Sequence, residues 1–269
     1  MKGTKKTLTL LGLGISVMLA AVLAAACSPE KEQTYTAVTE PTYPPFESTN
    51  DDGDLVGFDI DLINAIADDQ NFKVTMKTLS FDSLIPAVEA GNADLIIAGM
   101  SQNKDRLKHV DFSDGYYESG NYYMVKKDSS YNSESDLPSD AVVACQPGTT
   151  TAGYIQELVD QGKIAKVSLI DSYTTCVLQL QNGDIDAVAG DKPVLDEYIS
   201  KYPDKYKLAG KVSTETGDGL MRIAVAKNND ELKEKINDGL ENIIENGTYK
   251  KLCKKWNIKG LSEDVSDDD

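Results

Sequence analysis

The sequence predicts an α/β fold in which short apolar strands alternate with amphipathic helices. Continuous apolar runs such as ADLIIAG and AVVAC are typical of strands buried on both faces. In the helical segment DIDLINAIADDQ, the apolar side chains of Leu62, Ile63, Ile66 and Ala67 share one face. Strands and helices that alternate in this way form mainly parallel sheets flanked by helices.

The elements follow in a regular order from Thr36. The helix DSLIPAVEAG ends at a glycine suited to a helix stop, and the strand ADLIIAG comes next. Further on, strands and helices alternate as AVVAC, TAGYIQELVDQG, KVSLI, TTCVLQLQNG, IDAVAG and KPVLDEYISKY. The units LIPAVEAGNADLIIAG and CVLQLQNGDIDAVAGD resemble each other, which is either an internal repeat or the ordinary pattern of any helix-to-strand unit.

Two extended segments divide this alternation into two lobes. YYESGNYYMVK and STETGDGLMRIAVAK lie between the alternating blocks, as expected of crossovers. Lobe 1 is therefore predicted to contain residues 34–119 and 217–261, and lobe 2 residues 120–216. The acidic residues 262–269 are predicted to be a disordered tail.

The N-terminal residues 1–26 predict export. MKGTKK carries three lysines, and the apolar run after it ends in small residues directly before Cys27. The segment resembles a bacterial lipoprotein signal, although Leu23 stands four residues before the cysteine instead of three. The resemblance implies lipidation of Cys27, a linker over residues 27–33 and a location on the extracellular face of the cell membrane. An ordinary signal peptide with an incidental cysteine is the alternative.

Composition excludes several functions. The formal net charge is −17, and removal of the three signal-peptide lysines makes it −20, which argues against nucleic acid or an anionic membrane surface as a partner. Cys145, Cys176 and Cys253 lack zinc-site spacing, and a disulfide between the first two stays open. The single His109 lies among charges. We therefore expect no metal and no cofactor.

Three strand ends carry candidate binding groups. Arg106 follows the first, in a chain with 25 lysines and two arginines. A guanidinium grips a carboxylate through two hydrogen bonds in a way that lysine cannot, although a surface pair with Asp105 or Asp111 is the alternative. QPGTTT follows the second end and brings Thr150 to a helix N-terminus, a site for an anion or simply a cap.

Asp191 follows the third strand end and either receives an ammonium group or caps the next helix. Carboxylate-binding and ammonium-binding groups together match a zwitterionic α-amino acid. Tyr43, Phe46 and Phe81 are aromatic candidates for shielding such a ligand, or they are core residues. The chemistry is recognition, because no nucleophile and base pair can be assembled.

GFDIDLINAIA, FDSLIPAVEAGNADLIIAGMSQNKDR, VDFSDGYY, QPGTTT and NGTYKKLCKKW resemble the polar amino-acid-binding proteins of ABC transporters, solute-binding family 3. The resemblance covers nearly all of the mature chain. It implies a two-lobed periplasmic-binding-protein type II fold that closes on its ligand by a hinge and is then read by a permease. The protein is expected to be a monomer.

The resemblance also implies roles for individual residues. Arg106 should bind the ligand α-carboxylate, helped by Ser101 and Thr150. Asp191 should bind the α-ammonium, with the carbonyl of Gly99 and the Ser101 hydroxyl contributing. Tyr43 and Phe81, which match the family's aromatic pair, should sandwich the ligand side chain.

Specificity rests on fewer positions. The wall formed by Ala98 and Gly99 resembles the glutamine binders, so a glutamine-like ligand is the first expectation. Glu40 disfavours an acidic ligand and suits an amide or a cation, while Gln146 stands at a position that varies in the family. Arg222 either reaches the cleft or faces solvent. The alternatives to transport are a dehydratase-type enzyme and a sensor acting through a partner.

Overall fold

The computed structural model describes residues 33–213 and 219–261. The signal peptide, Cys27, the linker as far as residue 32, and the predicted tail lie outside the described residues. So does the predicted lobe boundary at residues 216 and 217.

The strands of the described residues alternate with helices along the chain, as the sequence predicts. In chain order they are β1 (Gln33–Thr39), β2 (Thr42–Tyr43), β3 (Glu47–Thr49), β4 (Leu55–Val56), β5 (Phe72–Thr78), β6 (Leu95–Ile96), β7 (Val110–Glu118), β8 (Asn121–Lys126), β9 (Val142–Cys145), β10 (Lys166–Leu169), β11 (Ala187–Asp191), β12 (Tyr206–Lys211) and β13 (Leu220–Ala226).

The helices lie between these strands. They are α1 (Phe58–Asp69), α2 (Leu84–Glu89), α3 (Thr150–Asp160), α4 (Tyr173–Asn182), α5 (Lys192–Lys201), α6 (Asp230–Glu245) and α7 (Thr248–Lys255). Short 3-10 helices are present at Phe81–Ser83, Arg106–Lys108 and Glu134–Asp136.

Two five-stranded sheets organise the fold and confirm its two-lobed α/β class. Lobe 1 contains the sheet with strand order β5-β1-β6-β13-β7, and lobe 2 the sheet with order β10-β9-β11-β8-β12. Strands β2, β3 and β4 form a small separate sheet that the sequence did not indicate. Helices α1, α2, α6 and α7 belong to lobe 1, and α3, α4 and α5 pack on the sheet of lobe 2.

The sheets are mixed because the chain passes between the lobes twice. Strand β6 is parallel to β1, and β9 is parallel to β10 and β11. By contrast, β13 is antiparallel to β6 and β7, and β8 is antiparallel to β11 and β12. The outgoing and returning crossovers run side by side, and the Ser119 amide donates to the Gly219 carbonyl over 2.9 Å.

Burial on both faces explains the continuous apolar run at β6. Leu95 and Ile97 pack in the cluster that contains the α1 side chains, whereas Ile96 and Ala98 pack in the cluster that contains those of α2. Successive side chains of a strand point to opposite faces, so a strand covered on both sides is apolar at every position. The residues just after β6 are therefore held on a rigid support.

Helix α1 buries the face that its sequence predicts. Leu62, Ile63 and Ile66 are fully buried, and Ala67 is nearly so. At the other end of lobe 1, the Trp256 indole N–H donates to Asp61 Oδ2 over 2.6 Å and ties the end of α7 to α1.

Cys145 and Cys176 do not form a disulfide with each other. Both are buried thiols, so the open question of a Cys145–Cys176 disulfide is answered by two separate cysteines. None of the helices in the described part of the chain is long and apolar enough to cross a bilayer.

Candidate ligand-binding site

A cleft lies where the carboxyl ends of β1, β6, β9 and β11 face one another across the two lobes. It is lined by residues of both lobes: Glu40, Tyr43, Glu47, Phe81, Ala98, Gly99, Ser101, Arg106, Asn121, Gln146, Thr149, Thr150, Thr151, Tyr173 and Asp191. Of the candidates named from the sequence, Phe46 is missing from this set, and so is Arg222, whose position was left open. The roles of the others toward a ligand stay predictions, whereas their meeting in one cleft is observed.

Arg106 lies at the contact between the lobes. Its side chain is only 7% exposed, and its guanidinium donates to the Ser101 carbonyl in lobe 1 over 2.6 Å and to the Gly148 carbonyl in lobe 2 over 2.9 Å. The guanidinium carbon lies 5.3 Å from the centre of the Phe81 ring, a cation–π distance. Both carbonyls are neutral acceptors, so the positive charge is held without a bonded carboxylate partner among these contacts.

The surface ion pair considered for Arg106 is absent, because its neighbouring acids pair with lysines. Asp105 accepts from Lys108 over 2.5 Å, and Asp111 from Lys227 over 2.6 Å. Burial lowers the pKa of Arg106 to about 10, and the charge of Asp191 opposes this shift. A pKa near that value leaves the guanidinium charged at neutral pH.

Asp191 ends β11 and stands at the cap position of α5, yet its carboxylate makes no capping hydrogen bond. Instead, Oδ2 accepts a hydrogen bond from the Tyr43 hydroxyl of lobe 1. Burial raises the pKa of Asp191, while the nearby hydroxyls of Ser119 and Tyr43 and the charge of Arg106 act in the other direction. The side chain is thus directed into the cleft and is not used as a helix cap.

A second acidic group is held by different neighbours. Glu40 is 4% exposed and accepts from Gln146 Nε2 over 2.9 Å and from the Thr42 hydroxyl over 2.9 Å. The Gln146 amide also donates to the Asp171 carbonyl over 2.8 Å. Burial raises the pKa of Glu40, and the Gln146 and Thr42 hydrogen bonds oppose the rise.

The N-terminus of α3 supplies polar groups from lobe 2. Thr149 caps the helix: its hydroxyl accepts from the Ala152 amide over 3.1 Å and donates to the Gln146 carbonyl over 2.8 Å. Thr151 donates to Asn121 Oδ1 over 2.8 Å. Thr150 lies between them at the first turn, where amide groups and the helix dipole favour an anion. The capping role considered for this motif therefore belongs to Thr149 and leaves Thr150 available.

The wall of lobe 1 requires a glycine after β6. Gly99 has φ +56°, and a Cβ built there would lie 3.0 Å from Tyr43 Cε1. Gly99 thus allows the Tyr43 ring to lie against the backbone. The Tyr43 ring centre is also 5.0 Å from that of Tyr173, in an edge-on arrangement. Phe46, by contrast, is fully buried in the core and does not line the cleft.

Four lining residues were missed by the sequence reasoning: Glu47, Asn121, Thr151 and Tyr173. Tyr173 follows β10, so a fourth strand end, the third in lobe 2, pointed to it and was not used. Asn121 begins β8 within a predicted crossover, where a hinge residue can reach the cleft. Thr151 stands beside a residue that was chosen. No sequence pattern distinguished Glu47 from an ordinary strand residue.

Two residues left open by the sequence lie outside the cleft. Arg222 is 8% exposed, so it is buried and does not face solvent, and its Nη1 donates to the Leu220 carbonyl over 3.3 Å. The Nδ1 atom of His109 lies 2.6 Å from Glu89 Oε1 on the surface. Within the described ranges, no group of three or more His, Cys, Asp or Glu side chains is arranged to hold a metal ion.

Comparisons with known proteins agree on one family. A family profile described as bacterial extracellular solute-binding proteins, family 3, matches residues 35–259. The arginine-binding periplasmic protein of Mannheimia haemolytica is 37% identical over 221 residues, which cover 81% of this chain and 89% of that protein. ABC transporter arginine-binding protein 1 of Escherichia coli (strain K12) is 38% identical over 217 residues, covering 80% and 87%.

A solved structure of an amino-acid-binding protein is also similar to this chain. An ancestral arginine-binding protein bound to arginine is 38% identical to this chain with a TM-score of 0.78. The superposed part covers 84% of this chain and 99% of the ancestral protein. Similarity therefore extends over both lobes and the cleft between them.

Proposed function

We propose a ligand for this chain, which belongs to the bacterial extracellular solute-binding proteins, family 3. The chain is the extracytoplasmic substrate-binding component of an ABC importer for a polar L-amino acid. The ligand that we infer is a cationic L-amino acid, with arginine first. Arginine takes the place of the glutamine-like ligand that Ala98 and Gly99 suggested, because buried charge in the cleft favours a cation and two relatives are named for arginine.

The observation that carries this proposal is the second buried carboxylate, Glu40. An α-amino acid brings one carboxylate and one ammonium group, which Arg106 and Asp191 neutralise. Glu40 remains after that pairing, buried and hydrogen-bonded only to the neutral groups of Gln146 and Thr42. Because a buried unpaired charge is strongly unfavourable, a cationic ligand side chain is the partner that Glu40 lacks.

The head group of the ligand would contact both lobes. The Arg106 guanidinium already bonds carbonyls on each side, and the helix N-terminus at Thr150 adds donors from lobe 2. Tyr43 from lobe 1 bonds Asp191 from lobe 2, so the ammonium site is also shared. Closing the hinge removes water from these groups and strengthens each ion pair, which couples ligand capture to the closed form.

Glutamine is the second candidate, and one observation favours it. The Gln146 amide already donates to Glu40, so a ligand amide would find the same acceptor there. A neutral amide, however, leaves the charge of Glu40 without an opposite charge. The two ligands therefore differ in how strongly their binding depends on that charge.

Replacing Arg106 with Lys should weaken binding of the amino acid by about 1–3 kcal/mol, the worth of a charged hydrogen bond. Lysine keeps the charge but loses the planar fork that bonds two acceptors at once. Isothermal titration calorimetry with arginine measures the change. Arg222→Lys is the matched control, because it makes the same replacement outside the cleft; near-normal affinity in Arg106→Lys would remove Arg106 from the site.

Replacing Glu40 with Gln should lower the affinity for arginine by about 10-fold to 100-fold and change that for glutamine far less. The same charge gives a pH dependence. Because burial raises the pKa of Glu40, arginine affinity should fall as the pH drops through that raised pKa, and the variant should lose this dependence. Calorimetry with both amino acids at several pH values measures it. Equal losses for arginine and glutamine would contradict the proposed role of Glu40.

We further infer that the cleft binds its ligand without converting it. The two acids considered for general acid–base work are assigned to charge pairing in this proposal: Glu40 to the cationic side chain of the ligand and Asp191 to its ammonium group. A dehydratase would need one of them free over its substrate. Recovery of unchanged amino acid after incubation, and no product from prephenate-like acids, would support binding alone; turnover would overturn it.

We propose that Cys27 is lipidated and holds the protein on the outer face of the membrane as a monomer. The small residues before Cys27 and the charged segment after it support the anchor. Wild-type protein should remain with the membrane fraction, and Cys27→Ser should abolish lipid attachment. Membrane attachment through lipid in the variant would contradict the assignment. Gel filtration of residues 28–269 at the volume of a dimer would contradict the monomer.

A further inference from the structure

Glu47 is a buried acid for which the proposed binding scheme has no use. It begins β3, its exposed fraction is 0%, and it lines the cleft beside Tyr43, its cross-strand neighbour in the small sheet. Asp59, in the first turn of α1, is equally buried. The charge beside the binding cleft therefore depends on whether Glu47 and Asp59 are protonated or ionised.

The hydrogen bonds of this pair are incomplete if both acids are ionised. Within the described residues, no protein N–H or O–H group reaches either carboxyl oxygen of Glu47 or Oδ1 of Asp59. The Asp59 amide, however, donates to the carbonyl of Phe46, the residue before Glu47, over 2.9 Å, so the two acids are neighbours, and their carboxyl groups interact directly. Two carboxylates in contact cannot both ionise at low free energy, and one proton between them supplies the missing donor.

The other oxygen of Asp59 is well bonded, and this bonding determines which acid carries the proton. Asp59 Oδ2 accepts from the Gly99 amide over 2.9 Å and from the Tyr116 hydroxyl over 2.6 Å. Donors to a carboxylate favour its ionised form, so Asp59 is the anion and Glu47 the acid. Burial and the nearby Asp59 raise the pKa of Glu47 well above its usual range, and burial raises that of Asp59 to about 6.

We propose that Glu47 is a positioning residue: it keeps a proton, donates it in a hydrogen bond to Asp59, and so holds Asp59 in the orientation that fixes the Gly99 turn at the cleft wall. Gly99 lies in the left-handed region and directly beneath the Tyr43 ring. Asp59 therefore connects two hydrogen bonds: it accepts one from protonated Glu47 and one from the Gly99 amide at the cleft wall. The effect on ligand binding rests on the proposed function, whereas the proton itself does not.

The main titratable neighbours of Glu47 oppose its ionisation. They are the carboxyls of Asp59 on α1, Glu40 after β1 and Asp191 at the end of β11, and the hydroxyls of Tyr43 on β2 and Tyr116 on β7. Arg106, the cation that lines the same cleft, bonds the Ser101 and Gly148 carbonyls. Ionised Glu47 would add another negative charge to this group. Because Glu47 stays protonated, the negative charge that lines the cleft is that of Glu40 and Asp191, which a ligand can neutralise.

A retained proton has a measurable effect on stability. Glu47 has a pKa near 4.5 when unfolded and well above that when folded, so its contribution to stability is complete at acid pH and is lost as the pH rises. Above about pH 7, Asp59 is ionised in both states and adds little. Between about pH 7 and the raised pKa of folded Glu47, Glu47 should therefore raise the unfolding equilibrium constant by about tenfold for each pH unit.

Urea unfolding of the wild type and of Glu47→Gln over this pH range tests whether folded Glu47 keeps its proton. Glutamine has nearly the shape of glutamic acid, donates an N–H to Asp59 and does not titrate. For each pH unit, the unfolding equilibrium constant of the wild type should rise about tenfold more than that of the variant. The same pH dependence in both proteins would overturn the proposal, and no ligand is needed for this outcome.

Binding of arginine by a third protein, Glu47→Met, tests the positioning. Methionine has a similar length but offers no donor to Asp59, so the Gly99 turn should lose its support. Glu47→Gln should bind at least about tenfold more tightly than Glu47→Met, measured on folded protein by calorimetry. A purely structural role would lower the stability of Glu47→Met but leave both affinities equal, which would overturn the positioning. Absence of arginine binding in the wild type would instead overturn the proposed function.

Discussion

A guanidinium buried between two lobes is the interaction on which the cleft depends. Arg106 is 7% exposed and bonds carbonyl oxygens of Ser101 and Gly148, one from each lobe. A buried cation is tolerated only where acceptors are placed for it in advance, so the strand end after β6 and the loop before α3 must meet at this point. Arginine serves here because its donors point in two directions from one rigid plane.

The remaining charges follow from that placement. Asp191 and Glu40 lie in the same cleft but use different neighbours, Tyr43 for one and Gln146 for the other. In the proposed binding mode, each carboxylate faces a separate positive group of the ligand. The proton that we assign to Glu47 keeps a further charge out of this arrangement.

Much of this organisation could be predicted from the sequence because it depends on short-range patterns, whereas the rest depends on contacts between distant parts of the chain. The apolar run at β6 indicated a strand covered on both faces, and a single arginine after it stood out among the lysines. Parallel strands bring such ends together, so the order of the strands was enough to place Arg106, Thr150 and Asp191 in one site. By contrast, Tyr173 approaches Tyr43 only because the two lobes meet, and Glu47 meets Asp59 only because β3 lies against α1. The mixed strand directions arise from the paired crossovers, which sequence alone did not orient.

A thermal unfolding screen with each standard amino acid is the measurement that best separates the candidate ligands. At about 100 times its dissociation constant, a ligand adds about 2.7 kcal/mol to the free energy of unfolding. Arginine should raise the unfolding temperature most, followed by other cationic amino acids and glutamine, with aspartate and glutamate without effect. A largest shift with an acidic or an apolar amino acid would contradict a cleft built to pair a cation with Glu40.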